Sequence, residues 1–295
     1  MNIKNYLKSK KDEIDKYLES IMPSENKYPS EFHKAMNYTL FAGGKRIRPI
    51  LCIAAYSIFK KDYKKCFPYA SALEIIHTYS LIHDDLPAMD NDTVRRGKPS
   101  NHIVFGEAKA ILAADALLTF AFETMSGVSN IKPKIVQKAI HNISKASGYS
   151  GIVGGQFVDI DKEGQNEDID IPTLEYIHTH KTGELLKASV TTGAILADAT
   201  DEEYKHINNF GKWLGLTFQI IDDILDEIGD ENKLGKKIGQ DSINNKFTYP
   251  AIYGIKKSKE IAKKYTQKSI SFLEQIDKDT SILENISNFL LKRTY

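Results

Sequence analysis

The chain has 295 residues, 41% of them hydrophobic and 27% charged, with 40 Lys+Arg against 39 Asp+Glu for a formal net charge of +1. Enough apolar material is present for a sizeable core, which excludes intrinsic disorder. The near-neutral total argues against a generally basic nucleic-acid binder and against an acidic tail. The longest apolar stretches, residues 50–56 and 110–122, are shorter than the ~20 residues of a membrane-spanning helix, and Asp115 interrupts the second. The charged N-terminal stretch has no apolar signal region. Two cysteines, Cys52 and Cys66, are too few for a disulfide framework, so a cytoplasmic setting is expected.

Helical periodicity runs the length of the chain. Leu7, Ile14, Leu18 and Ile21 recur at helical spacing, and Met36 with Leu40 follows a start signal at Pro29-Ser30. A long stripe steps through Ile207, Phe210, Leu214, Phe218, Ile221 and Leu225, and another through Ile282, Ile286, Phe289 and Leu290. Gly and Pro fall between these segments. Only short pieces such as Phe157-Val158-Asp159-Ile160 alternate as a strand would. The pattern predicts one all-α domain over residues 1–295, with about ten helices.

Two aspartate clusters stand inside this helical pattern. The first is Leu81-Ile82-His83-Asp84-Asp85-Leu86-Pro87-Ala88-Met89-Asp90, and the second is Gln219-Ile220-Ile221-Asp222-Asp223-Ile224-Leu225-Asp226. They lie 138 positions apart (222 − 84). Asp222 and Asp226 share a helix face with Gln219 one turn earlier. Pro87 disfavours helix at Leu86, so Asp90 has to return to Asp84 from a loop or bent turn. Carboxylates set among apolar residues repel one another and are costly to desolvate. Oxygen-only ligands of this kind suit Mg²⁺, which fills the rest of its shell from substrate phosphates.

Bases cluster locally as well. Gly43-Gly44-Lys45-Arg46-Ile47-Arg48-Pro49 places Lys45 and Arg48 after a glycine pair, Arg95-Arg96-Gly97-Lys98 follows the first aspartates, and Lys181-Thr182 and Lys236-Lys237 flank the second in chain order. Arginine forks grip phosphate oxygens in pairs and lysine acts as a mobile point charge. Acids for a metal together with bases for phosphate point to a diphosphate substrate.

From about Ser30 onward the sequence resembles the trans-isoprenyl diphosphate synthases, the polyprenyl synthetases, and specifically the bacterial farnesyl diphosphate synthase type. The resemblance is carried by GGKRIRP at 43–49, the 84–90 cluster with RRGKP at 95–99, GGQ at 154–156 and HKTGELL at 180–186. It continues through Gln219-x-x-Asp222-Asp223-x-x-Asp226, GKKIGQD at 235–241 and KFTYP at 246–250. It implies the isoprenoid synthase fold, helices around a deep apolar cavity, usually as a homodimer. It also implies that Asp84 and Asp90 bind two Mg²⁺ ions and Asp222 leads a third, with Asp85, Asp223 and Asp226 in support. Arg95, Lys181 and Lys236 would hold the allylic diphosphate, and Lys45, Arg48, His77 and Arg96 the isopentenyl diphosphate. Thr182 and Gln219 would present oxygens near the reacting carbon, and the segment at 229–239 would close over the site. Tyr79 and Ser80, just before the first cluster, would set product length.

The resemblance therefore implies a prenyltransferase that makes farnesyl diphosphate from dimethylallyl or geranyl diphosphate plus isopentenyl diphosphate. Alternatives are a geranylgeranyl diphosphate synthase and a noncatalytic prenyl-diphosphate-binding subunit on the same fold. A terpene cyclase needs no isopentenyl site, against which Lys45, Arg48 and Arg96 count. His83 reads as helix packing, His178 and His180 as partly exposed structural residues, and Asp115 as a buried, hydrogen-bonded carboxylate. Gly154-Gly155 reads as a close helix contact, with Gln156 and Asp159 as lesser polar candidates beside the cavity.

Overall fold

The computed structural model describes residues 2–162, 171–228 and 248–292. Helix α1 (Ile3–Ile21) starts where Asn2 caps the Lys4 amide at 3.0 Å and buries Ile14 and Leu18, four apart, on one face. Helices α2 (Ser30–Leu40) and α3 (Ile47–Phe59) follow, with the Gly43-Gly44 pair between them. Helix α4 (Phe67–Asp84) carries Pro68 in its first turn and is buried on nearly every face, through Leu73, Ile75, Ile76, Tyr79 and Ile82. It stops at Asp84, just before Leu86-Pro87, as the proline requires.

A two-residue hairpin, β1 (Val94–Arg95) with β2 (Lys98–Pro99), supplies the strands among the described residues. The strand-like piece at 157–160 is helical, because it lies within α8, where tertiary packing overrides a four-residue alternation. The remaining elements are α5 (Asn101–Phe105), α6 (Glu107–Ser126), α7 (Pro133–Ser147), α8 (Ile152–Lys162), α9 (Ile171–Ile177), a π-helical turn at His178–Gly183, α10 (Glu184–Leu196), α11 (Asp201–Ile228), α12 (Tyr249–Leu273) and α13 (Ser281–Leu291). Helix α12 opens with the Thr248 hydroxyl accepting from the Ala251 amide.

Helices α4 and α10 are the inner elements: α4 packs on α3 and α6, and α10 on α3, α7 and α11. The long stripe read in the sequence becomes the inner face of α11, where Ile207, Phe210, Leu214, Ile221 and Leu225 are buried. Among the described residues, no helix is long and apolar enough to cross a membrane. Asp115 departs from its expected place. Helix α6 buries Ala110, Ala113, Ala114, Leu117 and Ala121 on one face only, which leaves Asp115 59% exposed, with Ile111 and Leu112 also exposed.

Candidate active site

The end of α4 and the turn after it form the first wall. The Asp90 amide donates to the Asp84 carbonyl at 2.9 Å, and the Met89 and Asn91 amides both donate to the Leu86 carbonyl. Pro87 thus sets Asp90 back beside Asp84. Burial, and then Asp90 and Asp85 against the pull of Lys181 and Arg95, raises the Asp84 carboxyl to about 6. Asp85 is buried and engages Arg95, whose Nε donates to Asp85 Oδ1 at 2.9 Å while its Nη2 bonds both Asp85 and Asp92. The hairpin places Arg95 there.

Lys181 comes from the π-helical turn, a geometry common at functional sites because its wider coil re-aims side chains. Its Nζ lies 2.6 Å from Asp159 Oδ2 on α8. Burial alone would lower its pKa, but Asp159, Asp84 and Asp90 outweigh it and raise the pKa, so the lysine stays charged. The close approach of α8 depends on Gly155: a Cβ there would stand 2.1 Å from the Lys181 backbone nitrogen and 2.7 Å from the His180 carbonyl carbon. Gly155→Ala is therefore expected to destabilise the fold by about 3 kcal/mol and to lower turnover by displacing Lys181. A thermal melt alongside a rate measurement checks this, and wild-type values in both would refute it. Beside Gly155, Gln156 is buried with neither amide atom hydrogen-bonded. Thr182, next to Lys181, is half-buried.

Helix α11 forms the opposite wall. Gln219 Nε2 donates to Asp223 Oδ1 at 3.0 Å, and the Tyr249 amide at the start of α12 donates to Asp223 Oδ2 at 3.1 Å. Burial pushes Asp223 up to about 7, helped by Asp222 and Asp226 and opposed by these two hydrogen bonds. His178 is not partly exposed. It is buried, stacked on Tyr249, with Nε2 3.4 Å from Asp223 Oδ2, and burial lowers its pKa to about 4. The neutral ring packs the π-helical turn onto α11. His180, half-buried, stacks on Tyr176.

The third wall is basic. Arg48 on α3 has a buried Nε without a hydrogen-bond partner; burial pulls its pKa down to about 10, with Glu74 and Asp222 opposing and Arg96 reinforcing. The same arginines, after burial, hold His77 well below its usual range. Lys45 is exposed at the rim. Arg48 thus feels Asp222 of the second cluster, while Lys181 feels Asp84 and Asp90 of the first. His178 feels both Lys181 and Asp222, so charges of both clusters act on the π-helical turn despite their distance along the chain.

Several participants escaped the sequence reading. Arg46 and Glu74 are the main ones: each is 2% exposed, and they pair at 2.7 Å. Glu74 stands alone in the apolar run Ala72–Ile76, the same signal that drew attention to Asp115. Lys236 and the segment at 229–239 lie outside the described residues. Tyr79 and Ser80 are buried on α4; the Tyr79 hydroxyl is 3.5 Å from the Ser147 carbonyl and its ring stands edge-on to His83. His83 lies 3.7 Å from the exposed Asp115.

Residues 29–286 match the family model of the polyprenyl synthetases. The chain belongs to the polyprenyl synthetase family. This polyprenyl synthetase is 44% identical to the large subunit 1 of a heterodimeric geranylgeranyl pyrophosphate synthase of Arabidopsis thaliana, over 98% of the chain and 79% of the relative. It is 42% identical to a farnesyl diphosphate synthase of Geobacillus stearothermophilus, over 100% of the chain and 99% of the relative. Among solved structures it is similar to a geranyltransferase of Helicobacter pylori complexed with magnesium and isoprenyl diphosphate, with a TM-score of 0.86, 30% identity and coverage of 99% of this chain and 97% of that one. The polyprenyl synthetase has the all-α isoprenoid synthase fold and is a prenyltransferase of the trans-isoprenyl diphosphate synthase family.

Proposed function

We propose that this enzyme condenses isopentenyl diphosphate with dimethylallyl or geranyl diphosphate to give farnesyl diphosphate. The observation that carries this reading is Lys181, a buried cation held among Asp159, Asp84 and Asp90 on a π-helical turn that packs against α11, the helix of Asp222 and Asp226. Together with Arg95 and Lys236, Lys181 would bind the allylic diphosphate. Lys45, Arg48, His77 and Arg96 would bind isopentenyl diphosphate, and the unpartnered Nε of Arg48 supplies a buried donor for an anion.

Asp84, Asp90 and Asp222 would hold Mg²⁺. Their donors are hard carboxylate oxygens, and the raised Asp84 carboxyl marks a place where positive charge is wanted. Mg²⁺ commonly draws its remaining ligands from substrate phosphates and water. Bound there, Mg²⁺ would neutralise charge on the departing diphosphate.

The protein's own groups would do the rest. Lys181 and Arg95 stabilise charge on the leaving oxygens as the allylic carbon–oxygen bond ionises. The Gln219 amide nitrogen is engaged by Asp223, so Oε1 is the atom left for the carbocation, with the Thr182 hydroxyl as the second oxygen. The basic wall aligns the double bond of isopentenyl diphosphate for attack, and loss of a proton to the departed diphosphate completes the new chain. Packing of α8, α11 and the π-helical turn would exclude water that could quench the cation. Incubation with labelled isopentenyl diphosphate, Mg²⁺ and each allylic primer tests this function; no incorporation with any primer would overturn it.

The farnesyl product rests on Tyr79, a bulky buried side chain five residues, about 7.5 Å of helix, before Asp84. Tyr79→Ala is expected to lengthen the product, read by chromatography of the dephosphorylated alcohols; an unchanged fifteen-carbon product would refute the assignment. The relatives favour a second reading, a geranylgeranyl product, because they divide between the two names. A homodimer is proposed as well, supported by exposed Ile103, Val104, Ile111 and Leu112 on α5 and α6.

A further inference from the structure

Two arginines beside the basic wall are held by one buried carboxylate. Arg46 caps α3 in the left-handed region, with φ 52°, and Arg96 sits in the hairpin turn at φ 54°. For residues with a Cβ that conformation persists only when surrounding contacts over-determine it. Arg46 spends Nε on Asp15 Oδ1, Nη1 on Glu74 Oε1 and Nη2 on the Leu40 carbonyl, each at 2.7 Å, and is 2% exposed. Although it lies in the middle of the GGKRIRP motif, it is consumed inside the protein and has no path to a ligand.

Arg96 differs. Its Nη1 donates to the carbonyls of Gly43 at 2.7 Å and Thr39 at 3.2 Å, and its Nη2 donates to Glu74 Oε1 at 3.3 Å. A guanidinium has five N–H donors, so these three contacts leave one on Nη2 and one on Nε. With the Glu74 bond on the Nη1 side of Nη2, those two donors would lie along one edge of the fork, the arrangement that grips two oxygens of a phosphate. The position is tight: a Cβ on Gly44 would stand 2.9 Å from the Arg96 Cζ. Glu74 Oε1 is thus shared by Arg46 and Arg96, and Asp15 on α1 holds Arg46 from the far side while accepting from Lys11 at 2.5 Å.

We infer that Glu74 is a positioning residue for the isopentenyl diphosphate pocket, turning the free edge of Arg96 toward the diphosphate, and that Asp15 supports it through Arg46. The inference rests on the substrate reading proposed above. It assigns to the N-terminal helix a contribution to affinity for one substrate, because the hydrogen-bonded chain Asp15–Arg46–Glu74–Arg96 ends on the basic wall, while the Arg95 guanidinium is bonded to Asp85 and Asp92 and Lys181 to Asp159.

Position and charge make opposite demands on Glu74. If the carboxylate merely offset the neighbouring positive charge, its neutralisation would strengthen the attraction for a diphosphate and lower KM. If it orients Arg96, neutralisation raises KM. The experiment compares steady-state kinetics of wild type, Glu74→Gln, Glu74→Asp and Asp15→Asn, varying each substrate in turn, with thermal melts of each variant.

The expected result is a KM for isopentenyl diphosphate raised about tenfold in Glu74→Gln, the loss of one charged hydrogen bond, with KM for the allylic primer unchanged. Glu74→Asp keeps the charge but withdraws it by one methylene, so it too should raise that KM. Asp15→Asn should raise it about threefold, and adding it to Glu74→Gln should bring no further rise because the two act through one path. A lower KM in Glu74→Gln, a wild-type KM in Glu74→Asp, or an equal rise in both substrates' KM would overturn the inference. If Glu74→Gln does not fold, Glu74→Asp and Asp15→Asn still decide it. Absence of incorporation by the wild type would instead remove the substrate reading itself.

Discussion

Asp84→Asn is expected to lower turnover about a thousandfold, at the upper end of the effect of one electrostatic group aimed at developing charge. The substitution keeps the shape of the side chain. It leaves the bond from the Asp90 amide to the residue 84 carbonyl intact, because that bond is made by backbone. What it removes is half of the carboxylate pair expected to hold Mg²⁺, and one of the three acids around Lys181. The fold should not suffer: a buried carboxyl raised to about 6 is uncomfortable as an anion, so neutralising it relieves repulsion with Asp90 and Asp85. Turnover measured across a Mg²⁺ titration, with a thermal melt of the same sample, separates the two effects. Turnover within tenfold of wild type would refute the assignment.

The second large effect is on stability and concerns Asp223. Its pKa is raised to about 7 by burial first and by Asp222 and Asp226 after it, and that of Asp84 to about 6. A carboxyl raised on folding binds its proton more tightly in the folded than in the unfolded chain. The stability it contributes is complete below its ordinary pKa of about 4 and is lost as pH rises through 6 and 7. In the presence of a chelator, the melting temperature should therefore fall between pH 5 and pH 8 by about 5 °C or more, corresponding to a few kcal/mol. Adding Mg²⁺ at pH 8 should restore part of it. Asp223→Asn retains an acceptor for the Tyr249 amide and, with the Gln219 amide turned over, a hydrogen bond to Gln219. It should raise the melting temperature at pH 8 and flatten the profile. A flat wild-type profile, or a lower melting temperature for Asp223→Asn at pH 8, would contradict a carboxyl raised by burial and by its two neighbouring acids.

Much of the fold was legible because helices advertise a period. Ile14 with Leu18, and Ile207 through Leu225, lie on buried faces where their spacing places them. The return of Asp90 to Asp84 was legible for a different reason: a proline restricts the residue before it whatever the tertiary context. Where the period was weak, the reading failed. In α6 alanine and leucine occur on several faces, so the apolar run at 110–122 did not reveal that Asp115 faces outward. The converse error hid Glu74, one acid in an equally apolar run, which is buried because α4 is covered on nearly all sides.

The sequence by itself determined the chemistry available: hard carboxylates in two clusters, bases in several more, helices to carry them, and motifs that name the family. A near-neutral total of 40 bases against 39 acids concealed that sorting, and residue spacing revealed it. Only the tertiary structure decided which charges are spent on one another and which remain for a ligand. Arg46 and Arg48 are two residues apart on one motif, yet Arg46 is locked to Asp15 and Glu74 while Arg48 keeps a buried donor unpartnered. Spacing along a chain fixes which face of a helix a side chain occupies, but the charge that meets it there comes from another helix, and that pairing exists only once the helices have packed.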